Sequence, residues 1–128
     1  MPLSAIATDS APAAVGPYSQ AIAANGFLFV SGQLPINPEN GELVSGDIAA
    51  ATDQALANIG AILHAAGIGF EAVVKTEVFL KDIGDFATMN ARYANAFTGP
   101  VLPARQAIEA SALPKSADIE ISCIAVLG

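Results

Sequence analysis

The sequence predicts an α+β fold in which two helices cover one face of a mixed β-sheet. In residues 73–81, apolar and polar side chains alternate as they do in a strand. Between Asp47 and Gly67, apolar side chains recur at helical spacing for about five turns. Near the end of the chain, residues 104–110 and 118–127 both predict strands. Long helices confined to one face of a mixed sheet define a two-layer α+β domain.

The first half of the chain predicts a hairpin, a loop and a helix. Residues 21–32 form two strands joined by the turn pair Asn25-Gly26. A loop rich in proline covers residues 33–46. Asp47 is placed to cap the long helix, and Gly67 is placed to end it.

The second half predicts a strand, a helix and two further strands. We expect Asp85 to cap the second helix, which stops before Gly99-Pro100. The loop at Leu113-Pro114 separates the last two strands. The predicted order is β-β-α-β-α-β-β, within one domain spanning residues 1–128.

Alternation assigns side chains to the two faces of the predicted sheet. In residues 73–81, one face takes Val74, Thr76, Val78 and Leu80, and the other takes Val73, Lys75, Glu77, Phe79 and Lys81. In the last strand, Ile119, Ile121, Cys123, Ala125 and Leu127 alternate with Glu120, Ser122, Ile124 and Val126. Both faces are substantially apolar, as expected when one packs on helices and the other on a neighbouring subunit.

Composition also predicts an oligomer and excludes several classes of protein. Hydrophobic residues are 53% of the 128 residues, many of them alanine, whereas charged residues are 13% against the ~25% usual in soluble domains. This hydrophobicity excludes a disordered chain, and no apolar run is long enough to span a membrane. A net charge of −7 argues against nucleic acid as a partner. With one cysteine and no basic leader followed by an apolar run, we expect a cytoplasmic protein without a signal peptide.

Most familiar catalytic motifs are absent from the sequence. It contains no P-loop, no HExxH and no paired CxxC. His64 is the only histidine and lies near the end of the long helix, where a surface role fits better than catalysis or metal binding. Cys123 lies in an apolar strand without a neighbouring base, which indicates a small core residue.

Arg105 and Glu120 are the two residues whose chemistry stands out from their surroundings. Arg105 begins a strand with no other basic residue, and a guanidinium can bind a carboxylate through two parallel hydrogen bonds. Glu120 lies between two isoleucines, and burial makes a carboxylate a better base near neutral pH. Ion pairing of Arg105 with a neighbouring carboxylate, or of Glu120 with Arg105 or Lys75, is an equally good explanation from the residues alone. Arg92 fits a solvated helix face.

Several segments, taken together and in order, resemble the RidA (YjgF) family of reactive intermediate and imine deaminases. These segments are Gly16-Pro17-Tyr18-Ser19-Gln20-Ala21, Ser31-Gly32-Gln33-Leu34-Pro35, Lys75-Thr76-Glu77-Val78-Phe79-Leu80-Lys81-Asp82, Asp85-Phe86 with Asn90 and Tyr93, Pro103-Ala104-Arg105, and Leu113-Pro114 leading to Ile119-Glu120-Ile121. They run from near the N-terminus to the last strand. No one segment is decisive, but their joint occurrence is highly specific.

The resemblance implies a chorismate-mutase-like fold, a homotrimer with sites in the clefts between subunits, and hydrolysis of 2-imino acids. The implied substrates are 2-iminopropanoate and 2-iminobutanoate, released by pyridoxal-phosphate enzymes such as threonine dehydratase, and the products are 2-keto acids and ammonia. Arg105 would bind the substrate carboxylate, and Glu120 would activate the attacking water. Tyr18, Ser31, Gly32 and Asn90 would line the pocket, together with the backbone of Ala107. The family implies no metal and no organic cofactor.

The sequence departs from the family pattern at three positions. Gln106 follows the arginine where a small residue is common, Ala107 replaces a frequent cysteine, and Ser122 replaces a frequent second glutamate. Ala107 excludes a thiol mechanism, and alternation turns Gln106 away from Arg105. The alternative function is a trimer that binds small carboxylates without catalysis, as a sensor or a protein partner. A ribonuclease fits poorly, because the chain is acidic and has a single histidine.

Overall fold

One mixed sheet of six strands forms the centre of the computed structural model, which describes residues 2–128. The strands are β1 (Ser4–Ile6), β2 (Ala21–Ala24), β3 (Phe27–Gln33), β4 (Val73–Leu80), β5 (Ala104–Glu109) and β6 (Ile119–Val126). The helices are α1 (Ile48–Ala65) and α2 (Phe86–Ala96). In space the strands follow the order β1-β2-β3-β6-β4-β5. The α+β fold with two helices on one face of a mixed sheet is therefore confirmed.

The sheet is antiparallel except at one edge, where β5 pairs with β4 in parallel. Parallel neighbours need a crossover connection, and α2 lies within this one. The chain begins with a strand that the predicted order lacks. β1 has three largely exposed residues and pairs only with β2, so it is too short to carry a recognisable alternation.

The long helix forms where the sequence predicts it, and its apolar stripe builds the core. The Asp47 side chain accepts a hydrogen bond from the Ala50 amide, and Gly67 adopts a φ of +79° just beyond the helix end. Eight residues on one side of α1 are buried: Ala51, Thr52, Ala55, Leu56, Asn58, Ile59, Ile62 and Leu63. Packing of this stripe against β3 and β6 assigns one sheet face to the helices.

The two faces of β6 alternate as predicted, whereas β4 departs from prediction at its start. Ile119, Ile121, Cys123 and Ala125 are all buried beneath the helices. In β4, however, Val73 is 6% exposed and Val74 is 41% exposed, the reverse of the expected assignment. The pairing of β4 with β6 shifts register between Val73 and Lys75. Such a bulge exchanges the faces of the residues before it, which a simple alternation rule misses.

The start of α2 also differs from prediction in detail. Asp85 does precede the first helical residue, but its side chain caps no amide. A short 3₁₀ turn over Ile83–Asp85 precedes α2, and there Asp82 accepts a hydrogen bond from Gly84. Met89, Tyr93 and Phe97 share a buried face, as expected, while Phe86 stays 37% exposed.

The sheet face opposite the helices, which we call the open face, is rich in exposed apolar side chains. Phe27, Phe29, Ile108 and Val126 are large, exposed and on this side by alternation. In the single chain that the structure describes, these side chains face solvent. Exposed apolar patches of this kind are typical of surfaces that a partner covers. No helix among residues 2–128 has the length and hydropathy needed to cross a bilayer.

Candidate active site

Arg105 lies on the helix side of the sheet, near the start of the edge strand β5. In the parallel pairing it is opposite Thr76 of β4, whose side chain is fully buried beneath the helices. Its side chain extends along α2 and lines a cleft of about 410 Å³ with six other residues, which we call the arginine cleft: Asn90, Tyr93, Ala94, Phe97, Leu102 and Pro103.

Two side chains of α2 hold the guanidinium. Arg105 Nη1 donates a hydrogen bond of 2.6 Å to Asn90 Oδ1. Arg105 Cζ also lies 4.7 Å from the centroid of the Tyr93 ring, close enough for a cation–π interaction. Asn90 and Tyr93 are three positions apart on a helix and therefore share a face. The guanidinium is oriented but keeps donors for a further acceptor.

Among residues 2–128, Arg105 forms no salt bridge, so its predicted alternative as an ion pair is wrong. The same result excludes an ion pair of Glu120 with Arg105 or Lys75 within the chain. Arg92 pairs instead with Asp53 at 2.9 Å, across α2 and α1, with both side chains about half exposed. It thus occupies a solvated helix face, as expected. An unpaired guanidinium beside a cleft is a binding group for an anion.

Glu120 lines a second cleft, of about 480 Å³, which we call the glutamate cleft. Four of the predicted site residues, Tyr18, Ser31, Gly32 and Glu120, line this cleft together, whereas Asn90 and Arg105 line the arginine cleft. The rest of the lining is mainly apolar and includes Val15, Leu34, Ile36 and Pro114, with Lys115 as its one cation. Residues 34, 36 and 115 were not predicted to line a site, because loop residues give no periodic signal.

A β-bulge brings β3 against the Glu120 carboxylate. The pairing of β3 with β6 shifts register between Val30 and Gln33, so Ser31 and Gly32 lie outside the regular ladder. A Cβ atom at Gly32 would lie 2.7 Å from the Glu120 carboxyl carbon, closer than such atoms approach. Glycine at this position therefore allows the carboxylate to lie directly on the backbone.

Tyr18 and Ser31 place hydroxyl groups around the glutamate cleft. Ser31 Oγ donates to the Ser19 carbonyl at 2.6 Å, and the Ser31 amide donates to the Gln20 carbonyl. The Gln20 side chain in turn holds residues 8–12 through hydrogen bonds to Thr8, Ala11 and Pro12. The Tyr18 side chain is largely exposed at the mouth of the cleft.

Burial controls the protonation of three groups near the clefts. Desolvation raises the pKa of Glu120 above its usual range, which favours proton transfer closer to neutral pH. Desolvation also raises the pKa of Tyr93, opposed by its hydrogen bond with Thr76 and by the Arg105 charge. Burial raises the pKa of the Cys123 thiol to about 12, so this cysteine stays protonated and unreactive, as predicted for a core residue.

Arg105 and Glu120 lie on opposite faces of the sheet. Arg105 shares the helix side with Thr76, whereas Glu120 alternates with the buried Ile119 and Ile121 and is opposite Phe79. Two strand spacings and three residues along β4 separate their backbones by about 14 Å. One chain therefore does not bring these two predicted site residues together.

The three departures from the family pattern fall on both sides of the sheet. The Gln106 side chain reaches the Glu77 carboxylate at 3.5 Å on the open face, so it points away from Arg105, as expected. Ala107 is half-buried and packs against the core from the same side as Arg105. Ser122 lies half-buried on the open face, in the middle of β6.

The single histidine takes no part in either cleft. His64 is exposed in the last turn of α1, the position expected for a surface role. No group of three or more His, Cys, Asp and Glu side chains within residues 2–128 is arranged to hold a metal ion.

The two-layer α+β domain presents an oriented, unpaired guanidinium in one cleft and a desolvated carboxylate in another. These groups define a protein suited to binding small anions.

Residues 8–127 match the family model described as Endoribonuclease L-PSP, and the chain belongs to this family. A 2-iminobutanoate/2-iminopropanoate deaminase of Rattus norvegicus is 51% identical over 123 residues, covering 96% of this chain and 89% of the relative. One of Escherichia coli K12 is 49% identical over 123 residues, covering 94% and 95%. The crystal structure of the E. coli YjgF gene product matches with a TM-score of 0.91 at 48% identity, covering 96% of this chain and 98% of that one. The resemblance to RidA (YjgF) proteins is thereby confirmed.

Proposed function

We propose that this protein hydrolyses 2-imino acids such as 2-iminopropanoate and 2-iminobutanoate to 2-keto acids and ammonia. The observation that carries the proposal is the Arg105 guanidinium, which Asn90 orients while no carboxylate among residues 2–128 neutralises it. Relatives at about half identity are named for this deaminase reaction. A 2-imino acid supplies the missing carboxylate, directly attached to an electrophilic carbon.

The proposed reaction needs one binding group and one base. Arg105 holds the substrate carboxylate through paired hydrogen bonds. Glu120 takes a proton from water as the water oxygen bonds to the iminium carbon, and the C=N electron pair moves to nitrogen. Glu120 then passes that proton to the amine and accepts the proton of the new hydroxyl. The C–N bond breaks and the C=O bond forms. The released ammonia takes the proton from Glu120, so that ammonium leaves with the 2-keto acid and the carboxylate is restored.

The other site residues would surround the reacting atoms. Ser31 and Gly32 adjoin the Glu120 carboxylate and would limit where the water lies, while Tyr18 would close the mouth of the cleft. Asn90 would act beside Arg105. The Ala107 backbone, on the same strand, would line the pocket. The iminium carbon is already electrophilic, so positioning and one base are sufficient for this chemistry without a cofactor.

The reaction requires Arg105 of one subunit to meet Glu120 of another, and we infer that the protein is a homotrimer with sites between subunits. The separation of the two residues on opposite sheet faces supports this arrangement, because a single chain leaves each cleft with half of the required groups. The apolar open face supplies a surface for the subunits to share. Cyclic assembly of identical chains would place the same cleft at every interface.

The proposal includes a cellular role. Pyridoxal-phosphate enzymes such as threonine dehydratase release enamines and imines, and this protein would remove them in the cytoplasm. An endoribonuclease activity, the one in the family description, is disfavoured by the net charge of −7 and by the single, exposed histidine.

Coupling the purified protein to threonine dehydratase tests the proposal. We expect faster formation of 2-ketobutanoate and less trapping of the imine by semicarbazide. Arg105→Ala should lower kcat/KM roughly 10- to 100-fold, as expected for loss of hydrogen bonds to a charged group. Arg92→Ala removes the other arginine and serves as the matched control. If binding of 2-ketobutanoate requires Arg105 while no imine is turned over, the protein is the carboxylate-binding sensor instead.

A further inference from the structure

Resting on the proposed function, we propose that Tyr93 is a positioning residue that holds the Arg105 guanidinium in place for the substrate carboxylate. The guanidinium carbon lies 4.7 Å from the centroid of the Tyr93 ring. Arg105 is exposed on an edge strand, where a long side chain samples many rotamers. An aromatic surface beneath it selects among those rotamers before substrate arrives.

The Tyr93 ring is itself held in place by a stacked aromatic neighbour. Its other neighbour is Phe97, one helical turn further along α2, with ring centroids 4.4 Å apart and planes 29° from parallel. Tyr93 is 7% exposed, in contrast to Phe86, the second ring near Arg105, at 5.5 Å. A ring packed in this way cannot follow a moving side chain, so Arg105 adapts to Tyr93.

The Tyr93 hydroxyl ties this ring to the strand next to Arg105. Tyr93 Oη and Thr76 Oγ1 are 2.7 Å apart, and both groups are buried. Thr76 is opposite Arg105 in the pairing of β4 with β5. This hydrogen bond, whichever hydroxyl donates it, therefore fixes the position of the Tyr93 ring relative to the backbone of Arg105.

These contacts predict a specific kinetic signature. Tyr93 approaches Arg105 and is not among the residues lining the glutamate cleft. Loss of its ring should weaken binding of the carboxylate and leave the proton transfers at Glu120 nearly unchanged. We therefore expect KM to rise and the affinity for the 2-keto acid product to fall, while kcat is largely preserved.

The experiment compares Tyr93→Leu, Tyr93→Phe and Thr76→Val in the full-length oligomer. For Tyr93→Leu we expect KM and the Kd for 2-ketobutanoate to rise roughly 2- to 30-fold, the range for loss of a cation–π interaction, with kcat within about twofold. Tyr93→Phe keeps the ring, so KM and Kd should rise less than in Tyr93→Leu. The rise should equal that in Thr76→Val, because each change removes the same hydrogen bond. The Tyr93→Phe/Thr76→Val double variant should show no additional rise in KM or Kd. Ile62→Val, a buried change in α1, is the control for general destabilisation.

The Arg105→Ala background separates a positioning role from a structural one. There, Tyr93→Leu should have no further effect on 2-ketobutanoate binding. An equal effect with and without Arg105, an unchanged Kd in Tyr93→Leu, or a loss confined to kcat overturns the proposal. If Tyr93→Leu does not fold, Thr76→Val decides, and an unchanged Kd contradicts the proposal. The Kd for 2-ketobutanoate tests the positioning role of Tyr93 even if the protein turns over no imine. Absence of imine turnover would contradict only the proposed function.

Discussion

Arg105 and Glu120 project from opposite faces of the same β-sheet, Arg105 toward α2 and Glu120 toward the open face. The relationship follows from strand alternation and from the register of β4 with its two neighbours. One chain therefore holds two separate half-sites. We propose that a catalytic cleft containing both residues forms where two chains meet.

The proposed base role of Glu120 predicts a pH signature. Because burial raises the pKa of Glu120, the acidic limb of kcat/KM should lie above the usual glutamate range. Glu120→Gln should lower kcat roughly 10²- to 10⁴-fold and abolish that limb. The measurement is a pH–rate profile with a directly generated imine, which avoids the pH dependence of a coupling enzyme. A mutant profile that keeps both the rate and the limb would assign the base to another group.

The same raised pKa has a consequence for stability. The folded protein favours the protonated carboxyl, so this contribution is complete below the unfolded pKa and is lost as pH rises through the folded pKa. Glu120→Gln should therefore raise the Tm near neutral pH and have little effect near about pH 4. Thermal unfolding at the two pH values checks this, with Glu42→Gln in an exposed loop as control. A Tm lowered at neutral pH would show that the ionised carboxylate stabilises the fold.

Gly32 should be essential for the position of the carboxylate. A methyl group there overlaps the Glu120 side chain and must displace it. We expect Gly32→Ala to reduce kcat while leaving 2-ketobutanoate binding close to normal, because Arg105 is untouched. Gly99→Ala is the matched control, since a Cβ there meets no atom closer than 4.0 Å. Equal activity in the two variants would show that Glu120 tolerates a shift.

The open face should mediate assembly. Phe29 is 45% exposed on this face, and a carboxylate there would have to lose its water within the proposed interface. We expect Phe29→Glu to give monomers by analytical ultracentrifugation and to abolish deaminase activity, whereas Phe29→Leu keeps the oligomer. An active Phe29→Glu monomer would refute both the interface and the shared site.

Much of the fold was predictable because its signals are local and periodic. The α1 stripe, the Asp47 cap and the alternation in β6 follow directly from residue spacing. β1 escaped prediction because three residues give no period, and Val73 and Val74 exchanged faces because a bulge depends on the partner strand. The same limit applies to Gly32, because its importance comes from a close contact with Glu120 of the neighbouring strand β6.

The residues of the proposed site could be singled out one by one from the sequence, but their relative positions could not. Glu120 stood out as a charge in an apolar strand, and Arg105 stood out because its strand has no other basic residue. Their separation depends on the strand order β6-β4-β5, which no local pattern encodes. By spacing alone, Tyr93 is an ordinary aromatic residue on the apolar face of α2, because its contacts with Arg105 and Thr76 depend on the fold. The spacing of Asn90 and Tyr93 on one helix face was the available signal.

Complementation between inactive subunits tests the central claim most directly. Arg105→Ala and Glu120→Gln chains, each with no more than about a tenth of wild-type kcat/KM alone, are unfolded together, refolded as a 1:1 mixture and assayed for imine hydrolysis. If each site takes Arg105 from one chain and Glu120 from its neighbour, random assembly in a cyclic oligomer restores about one quarter of wild-type activity. If a single chain held both residues of a site, the mixture would stay as inactive as its parents, and that result would contradict the account.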